Sequence, residues 1–276
     1  MQALTELEIG LMFWAAPDPL QALRGVKALG LRCGQLGVPG DLPLDPSAWK
    51  AALEAEQFTL VTVFAAYTGE SYADIPTVQR TVGFIPPSTR AEREARTIEL
   101  SDFAAALGVP SIACHIGFVP EDTADPDYIA VRAMVRRVAD HAAKHGQSFA
   151  LETGQEPAHV LLSFFKDVNR PNLRINFDPA NLILYGSDEP IEALGLLGRH
   201  VVTVHCKDGN WPPKESPGAL GTEMPLGQGA VGMDRFIAKL KQIGYRGPLC
   251  IEREIEDQAQ KLLDIKMAIG LLERLR

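Results

Sequence analysis

Three features of this chain predict an α/β protein folded as a closed (β/α)8 TIM barrel. Eight short runs rich in Val, Ile and Leu alternate with eight segments of helical period. The length, 276 residues, is close to the roughly 250 usual for that fold. No Gly-rich turn follows the first run, which continues as FWAAPDPL. That argues against an open doubly wound sheet, whose first turn cradles a phosphate.

The strand-like runs fall at 7–13, 32–36, 59–64, 111–115, 148–152, 173–177, 201–205 and 248–252. The helical segments that follow them are 19–29, 46–56, 89–107, 127–145, 157–168, 179–197, 234–243 and 257–275. Pro19, Pro46, Pro157 and Pro179 open four of these, and Asp125-Pro126 precedes the fourth helix, which Gly146 ends. The sixth breaks near Gly186. One domain over 1–276 is expected, since a chain of this size can bury a single large core.

Two connections, about 65–88 and 209–233, are too long for turns and both leave the carboxyl end of a strand. Their Tyr67, Tyr72, Phe84 and Trp211, with Gly227 and Gly229, predict loops that cover a site.

Formal charge is −8, from 27 basic and 35 acidic residues, and the excess acid is dispersed. Nucleic acid and anionic membrane surfaces are excluded as partners, because both require clustered positive charge. Residues 1–16 carry neither a basic nor an apolar leader segment and no apolar run could span a bilayer, so a cytoplasmic protein is expected. Cys33, Cys114, Cys206 and Cys250 stand singly in apolar runs and read as reduced core residues.

In a barrel of this kind the chemistry sits at the carboxyl face. The strand ends there are Gln35, His115, Glu152, Asp178, His205 and Glu252. Carboxylates at that density repel each other and lose hydration, which a divalent cation would offset. Glu152, Asp178, His205 and Glu252 offer three oxygens and one nitrogen, a hard mixed set. One divalent ion is expected, Mn2+ foremost, with Mg2+, Co2+ and Zn2+ as alternatives.

Blander roles exist for each residue. Asp178 before Pro179 fits a helix N-cap, Glu152 could cap the Thr153-Gly154 turn, and Glu252-Arg253-Glu254 could be a solvated salt-bridge cluster. Four ligand-type residues at four successive strand ends favour the metal. His141 and His145, four apart, lack the Glu of a zinc protease and read as last-turn helix residues. No Ser or Cys occupies a nucleophile elbow.

The segments CHIGF, ALETG, NFDPANL, VHCKDGN and IEREI resemble the xylose isomerase-like barrel superfamily over nearly the whole chain. Within it they are most similar to the sugar phosphate isomerase/epimerases, relatives of the ketose 3-epimerases and inosose dehydratases. The resemblance implies metal ligands at Glu152, Asp178, His205 and Glu252, with Glu152 and Glu252 doubling as the two acid/base groups. Asn181 stands where the epimerases carry a histidine, and Trp211 where they carry a substrate-binding arginine.

A carbonyl and its neighbouring hydroxyl chelated by such a cation would acidify the C–H between them, giving an enediolate. Returning the proton at the neighbouring carbon gives an isomerase, and returning it from the opposite face gives an epimerase. The expected reaction is therefore isomerisation or epimerisation of a small sugar or keto-polyol. The alternatives are a lyase, either an inosose-type dehydratase or an enzyme eliminating from a 3-keto-glycoside, and more remotely a metal-free sugar-binding barrel.

His115 and Lys207 could donate a proton to the substrate or brace the ligand carboxylates. Gln35, Trp14, Asn181, Asp208, Arg253 and Trp211 are expected either to touch the substrate or to support the ligand residues from behind. Lys214 and Arg253 are available to a phosphate, but no compact basic pair marks a phosphate site. An apurinic endonuclease would need more histidines and a basic face. A homo-oligomer is expected by analogy alone.

Overall fold

The computed structural model describes residues 4–276. Eight parallel strands close into a barrel: β1 (Ile9–Trp14), β2 (Cys33–Val38), β3 (Thr59–Ala65), β4 (Ser111–Cys114), β5 (Ser148–Glu152), β6 (Leu173–Phe177), β7 (Val201–Cys206) and, eighth around the ring, β10 (Leu249–Ile251). Closure is made by β1 against β10, with Ile9 opposite Leu249. The expected fold is therefore the observed one, and β5 and β6 have the expected limits. The first strand starts two residues late, because Leu7 takes a left-handed φ of 51° that no strand continues through.

Around the barrel lie α1 (Pro19–Lys27), α2 (Pro46–Glu56), α4 (Arg90–Ala106), α5 (Pro126–Lys144), α6 (Ala158–Val168), α7 (Pro179–Leu184), α8 (Pro190–Leu197), α9 (Met233–Gln242) and α10 (Gln258–Leu275). A repeated device starts them. Asp18, Asp45, Asp125 and Asp178 each precede a proline and accept N–H bonds from the first turn. The carboxylate satisfies orphan donors while proline, which needs no donor there, presets φ.

The two long connections are not structureless. The first contains α3 (Ile75–Thr81), and the second is braced by an antiparallel hairpin of β8 (Asp208–Asn210) and β9 (Thr222–Met224). Ile75 N–H donates to Gly218 O at 2.9 Å, tying one cover to the other.

Strand parity divides the core. Phe13, Val63, Ile112, Leu151, Phe177 and Cys206 pack outward in the main cluster, whereas Met12, Phe64, Ala113 and Ala150 form a small separate cluster. Their neighbours on the same parity, Gln35, Asn176, Thr203 and His205, are polar and buried. Such groups survive burial only when hydrogen-bonded. All four cysteines are free and buried, as expected.

Candidate active site and metal centre

The polar layer is a connected network. Asn176 Oδ1 accepts from Gln35 Nε2 at 3.1 Å and from Thr203 Oγ1 at 2.7 Å. Above it, His205 Nε2 is 3.2 Å from both Gln35 Oε1 and Asn176 Nδ2. His205 thereby has an acceptor and a donor under Nε2, so its opposite nitrogen is free to serve as either donor or ligand.

Nδ1 of His205 points at the carboxylates, 2.9 Å from Glu152 Oε1, 3.1 Å from Glu252 Oε2 and 3.7 Å from Asp178 Oδ2. Asp178 splits its work. Its Oδ1 caps α7 by accepting from Ala180 N at 2.8 Å and Asn181 N at 3.0 Å. Its Oδ2, Glu152 Oε2 and Glu252 Oε2 are buried and accept no well-aligned hydrogen bond, having only ion-pair contacts with His115, His205 and Lys207. One donor atom from each of Glu152, Asp178, His205 and Glu252 lies within 4.8 Å of the others.

Buried carboxylate oxygens that accept no hydrogen bond are costly. Here they converge with an imidazole nitrogen, and that donor set fits a divalent cation.

The local electrostatics have the same character. Burial would pull the His205 imidazole down, but Glu252 and Glu152 hold it well above the ordinary range. Burial likewise opposes the charge on Lys207, yet Glu252, Glu254 and Asp178 hold its ammonium firmly protonated. Burial raises the Asp178 carboxyl, with His205 and Lys207 pulling the other way.

Over this cluster opens a cavity of about 600 Å3, walled by Met12, Trp14, Phe64, Tyr72, Leu184, Tyr185 and Leu220 among others. His115 lines it, with Nε2 3.2 Å from Glu152 Oε2 and Nδ1 3.3 Å from Gln155 Nε2. Lys207 also lines it, 3.2 Å from Glu252 Oε2 and in very close contact with Glu254. Asn181 donates to Glu152 Oε1 at 3.2 Å, and Trp14 forms part of the mouth.

Other sequence candidates lie elsewhere. Gln35 does not line the cavity but lies beneath the cluster against His205, the supporting position that was the alternative to substrate contact. Asp208 is outside the lining, and its carboxylate accepts from the N–H groups of Gly209, Gly227, Gly229 and Val231. A Cβ on Gly229 would lie 2.3 Å from Asp208 Oδ1, so the PLGQGAVG loop needs glycine there. Arg253 binds Asp264 and Glu223, pinning the hairpin to α10 instead of pairing with its chain neighbours. Trp211 is 45% exposed and outside the lining.

Sequence reading missed Glu70, Glu223, Glu254 and Glu256 at the rim and Tyr185 in the wall. Only IEREI, with Glu254 two residues beyond Glu252 and hence on its side of the chain, carried a usable signal.

The sequence family described as xylose isomerase-like TIM barrel matches residues 23–274, and the chain belongs to that family. The crystal structure of a xylose isomerase domain protein from Planctomyces limnophilus is 45% identical, covers 98% of each chain and superposes with a TM-score of 0.92. A xylose isomerase-like TIM barrel protein from Mycobacterium smegmatis in complex with magnesium has a TM-score of 0.69 at 19% identity, covering 96% of each chain, and shares the fold.

An L-ribulose-5-phosphate 3-epimerase from Salmonella typhi is 34% identical over 91 residues, 33% of this chain. The match spans 29% of that epimerase's length, and 54% of an uncharacterized Methanocaldococcus jannaschii protein that is 27% identical over 56% of this chain. No helix among the described residues is long and apolar enough to cross a membrane.

Proposed function

We propose that this protein is a divalent-metal-dependent isomerase or epimerase of a small, unphosphorylated sugar or keto-polyol. One observation carries the reading: three buried carboxylate oxygens without hydrogen-bond partners converge with His205 Nδ1 beneath a cavity. Glu152, Asp178, His205 and Glu252 would hold the ion. When bound, the ion supplies positive charge that polarises a carbonyl and acidifies the adjoining C–H.

Of those four residues only Glu152 and Glu252 also line the cavity. That exposure to the cavity supports them as the two groups that would take a proton from substrate carbon and return it. Asp178 and His205 hold position from below.

Each base has its own support. Asn181 fixes Glu152 Oε1 from one side and His115 reaches Oε2 from another, while Lys207 reaches Glu252. His115 and Lys207 are the N–H donors that could steady charge on substrate oxygen. Trp14, Phe64 and Tyr72 supply apolar surface for the C–H faces of a sugar and exclude water.

The rim disfavours a phosphate. Glu70, Glu223, Glu254 and Glu256 line it, no arginine does, and the one lining lysine is already engaged by carboxylates. A dianion entering there meets repulsion in a partly desolvated site. The four buried free cysteines suit a reducing compartment, which supports a cytoplasmic placement.

The test is solvent deuterium exchange into candidate ketoses by the metal-loaded protein. Exchange should occur with the wild type and vanish in Glu152→Gln and in Glu252→Gln. Undiminished exchange in both variants would overturn the assignment of the two bases.

A further inference from the structure

The described residues contain one other convergence of metal-ligating side chains, remote from the barrel centre in sequence and built on two outer helices: Asp102 with His141 and His145. His141 lies in the last turn of α5 and His145 caps its end, so a spacing of four residues stacks both imidazoles on one side. Asp102 comes from the neighbouring α4.

Both rings present Nε2 to the same carboxylate oxygen, at 2.6 Å for His141 and 2.8 Å for His145. The ring centroids are 5.3 Å apart and inclined by 67° in an edge-to-face contact, and both Nε2 atoms reach the same oxygen.

We propose that Asp102, His141 and His145 form a second metal site, selective for borderline cations such as Zn2+, that braces α4 against α5. Two imidazole nitrogens and one carboxylate oxygen are a common zinc donor set, and water completes a four-coordinate shell. The side chains are 55%, 20% and 34% exposed for Asp102, His141 and His145, which leaves the approach open to both ion and water.

Zn–N and Zn–O bonds of about 2.0–2.2 Å place tetrahedral donors roughly 3.4 Å apart. The present nitrogen-to-oxygen separations of 2.6 and 2.8 Å must therefore open by about 0.8 and 0.6 Å, a shift that rotation of the Asp102 carboxylate can supply. The nitrogen-rich set also separates this site from the oxygen-rich barrel centre by ligand preference.

The experiment is calorimetric titration of ZnCl2 into the full chain, wild type beside the His141→Ala/His145→Ala double variant. Wild type should bind one more equivalent of Zn2+ than the double variant, with deuterium-exchange activity of the manganese-loaded protein equal in the two. Each single variant should weaken the extra equivalent by about tenfold or more. Equal Zn2+ stoichiometry in wild type and double variant would overturn the proposal.

A measurement on unmodified protein removes any dependence on variant folding. The side-chain 15N resonances of His141 and His145 should shift on saturation with Zn2+, and unmoved resonances would also overturn it.

Discussion

Gln35 Oε1 lies 3.2 Å from Nε2 of His205, a contact between residues 170 apart in the chain. It would provide the acceptor that Nε2–H needs if Nδ1 gives its lone pair to the proposed cation. Holding the tautomer in this way typically changes metal affinity by about 10–100-fold. Gln35→Leu should lower affinity for divalent metal by that factor, read by competition with a chelating dye. Unaltered affinity would show that the polar floor does not act on the imidazole.

Asp178 caps α7 with Oδ1 and is proposed to offer Oδ2 to a metal, and substitutions can separate the two roles. Asn keeps an acceptor for the α7 cap but removes the charge, whereas Ala removes both. Metal-free Asp178→Asn should melt at or above wild type, and metal-free Asp178→Ala should lose about 1 kcal/mol, the usual cost of an N-cap. Added metal should stabilise wild type by about 2.7 kcal/mol at 100 times Kd, and both variants should lose that stabilisation. A metal-induced rise preserved in Asp178→Asn would remove Asp178 from the ligand set.

Glu156 is buried outside the cavity lining, with its carboxylate accepting from Val119 N–H. Burial pushes it up to about 7 from the ordinary 4.5, against the pull of its bond from Val119 N–H. A carboxyl whose folded value is raised contributes stability that is full below 4.5 and lost as pH rises through 7. The shift corresponds to about 3 kcal/mol at most. Glu156→Gln should flatten the fall in unfolding free energy between pH 5 and pH 8. An equally steep fall in the variant would assign it to other groups.

Asp208 holds the second cover by accepting four backbone N–H bonds, from Gly209, Gly227, Gly229 and Val231. Hydrogen bonds to a charged acceptor contribute about 1.5–3 kcal/mol each, with heavy overlap when they share one carboxylate. Asp208→Ala should raise proteolytic cleavage within 222–232 and raise KM more than it lowers kcat. Cleavage at the wild-type rate would mean the hairpin is held by other contacts.

The acidic rim sets a preference. Ketoses should be turned over in preference to their phosphate esters, and Glu254→Gln/Glu256→Gln should narrow that gap while leaving the neutral substrate less affected. A phosphate ester preferred by wild type would contradict the field argument.

The barrel was legible because its signals are local and repeat. Alternation within VTVHCKDGN puts His205 and Lys207 on one side and Cys206 on the other, and Cys206 packs into the outer core as that parity requires. The strand ends likewise named Glu152, Asp178, His205 and Glu252, which the fold gathers within 4.8 Å. α3 and the β8–β9 hairpin escaped because seven residues barely make two helical turns and three-residue strands of polar character show no alternation.

The roles of single side chains were a different matter. From their positions after β10 and β7, Arg253 and Asp208 read as substrate contacts or supports of the ligands, but their partners, Asp264, Glu223 and the Gly227–Val231 backbone, lie 11 or more residues away, beyond the reach of local pattern. The Asp102 that joins His141 and His145 lies on another helix, so the spacing of the histidines alone gave no hint of it.

The sequence by itself determined the eightfold alternation, the capped helix starts and the identity of the residues at the strand ends, because these follow from periodicity and from backbone groups only a few residues away. The tertiary structure alone decided which carboxylate oxygens are left without a hydrogen bond, which nitrogen of His205 faces them, and that the rim is acidic. Those properties depend on contacts across the barrel, and burial turns each such contact into a large electrostatic effect that no local pattern encodes.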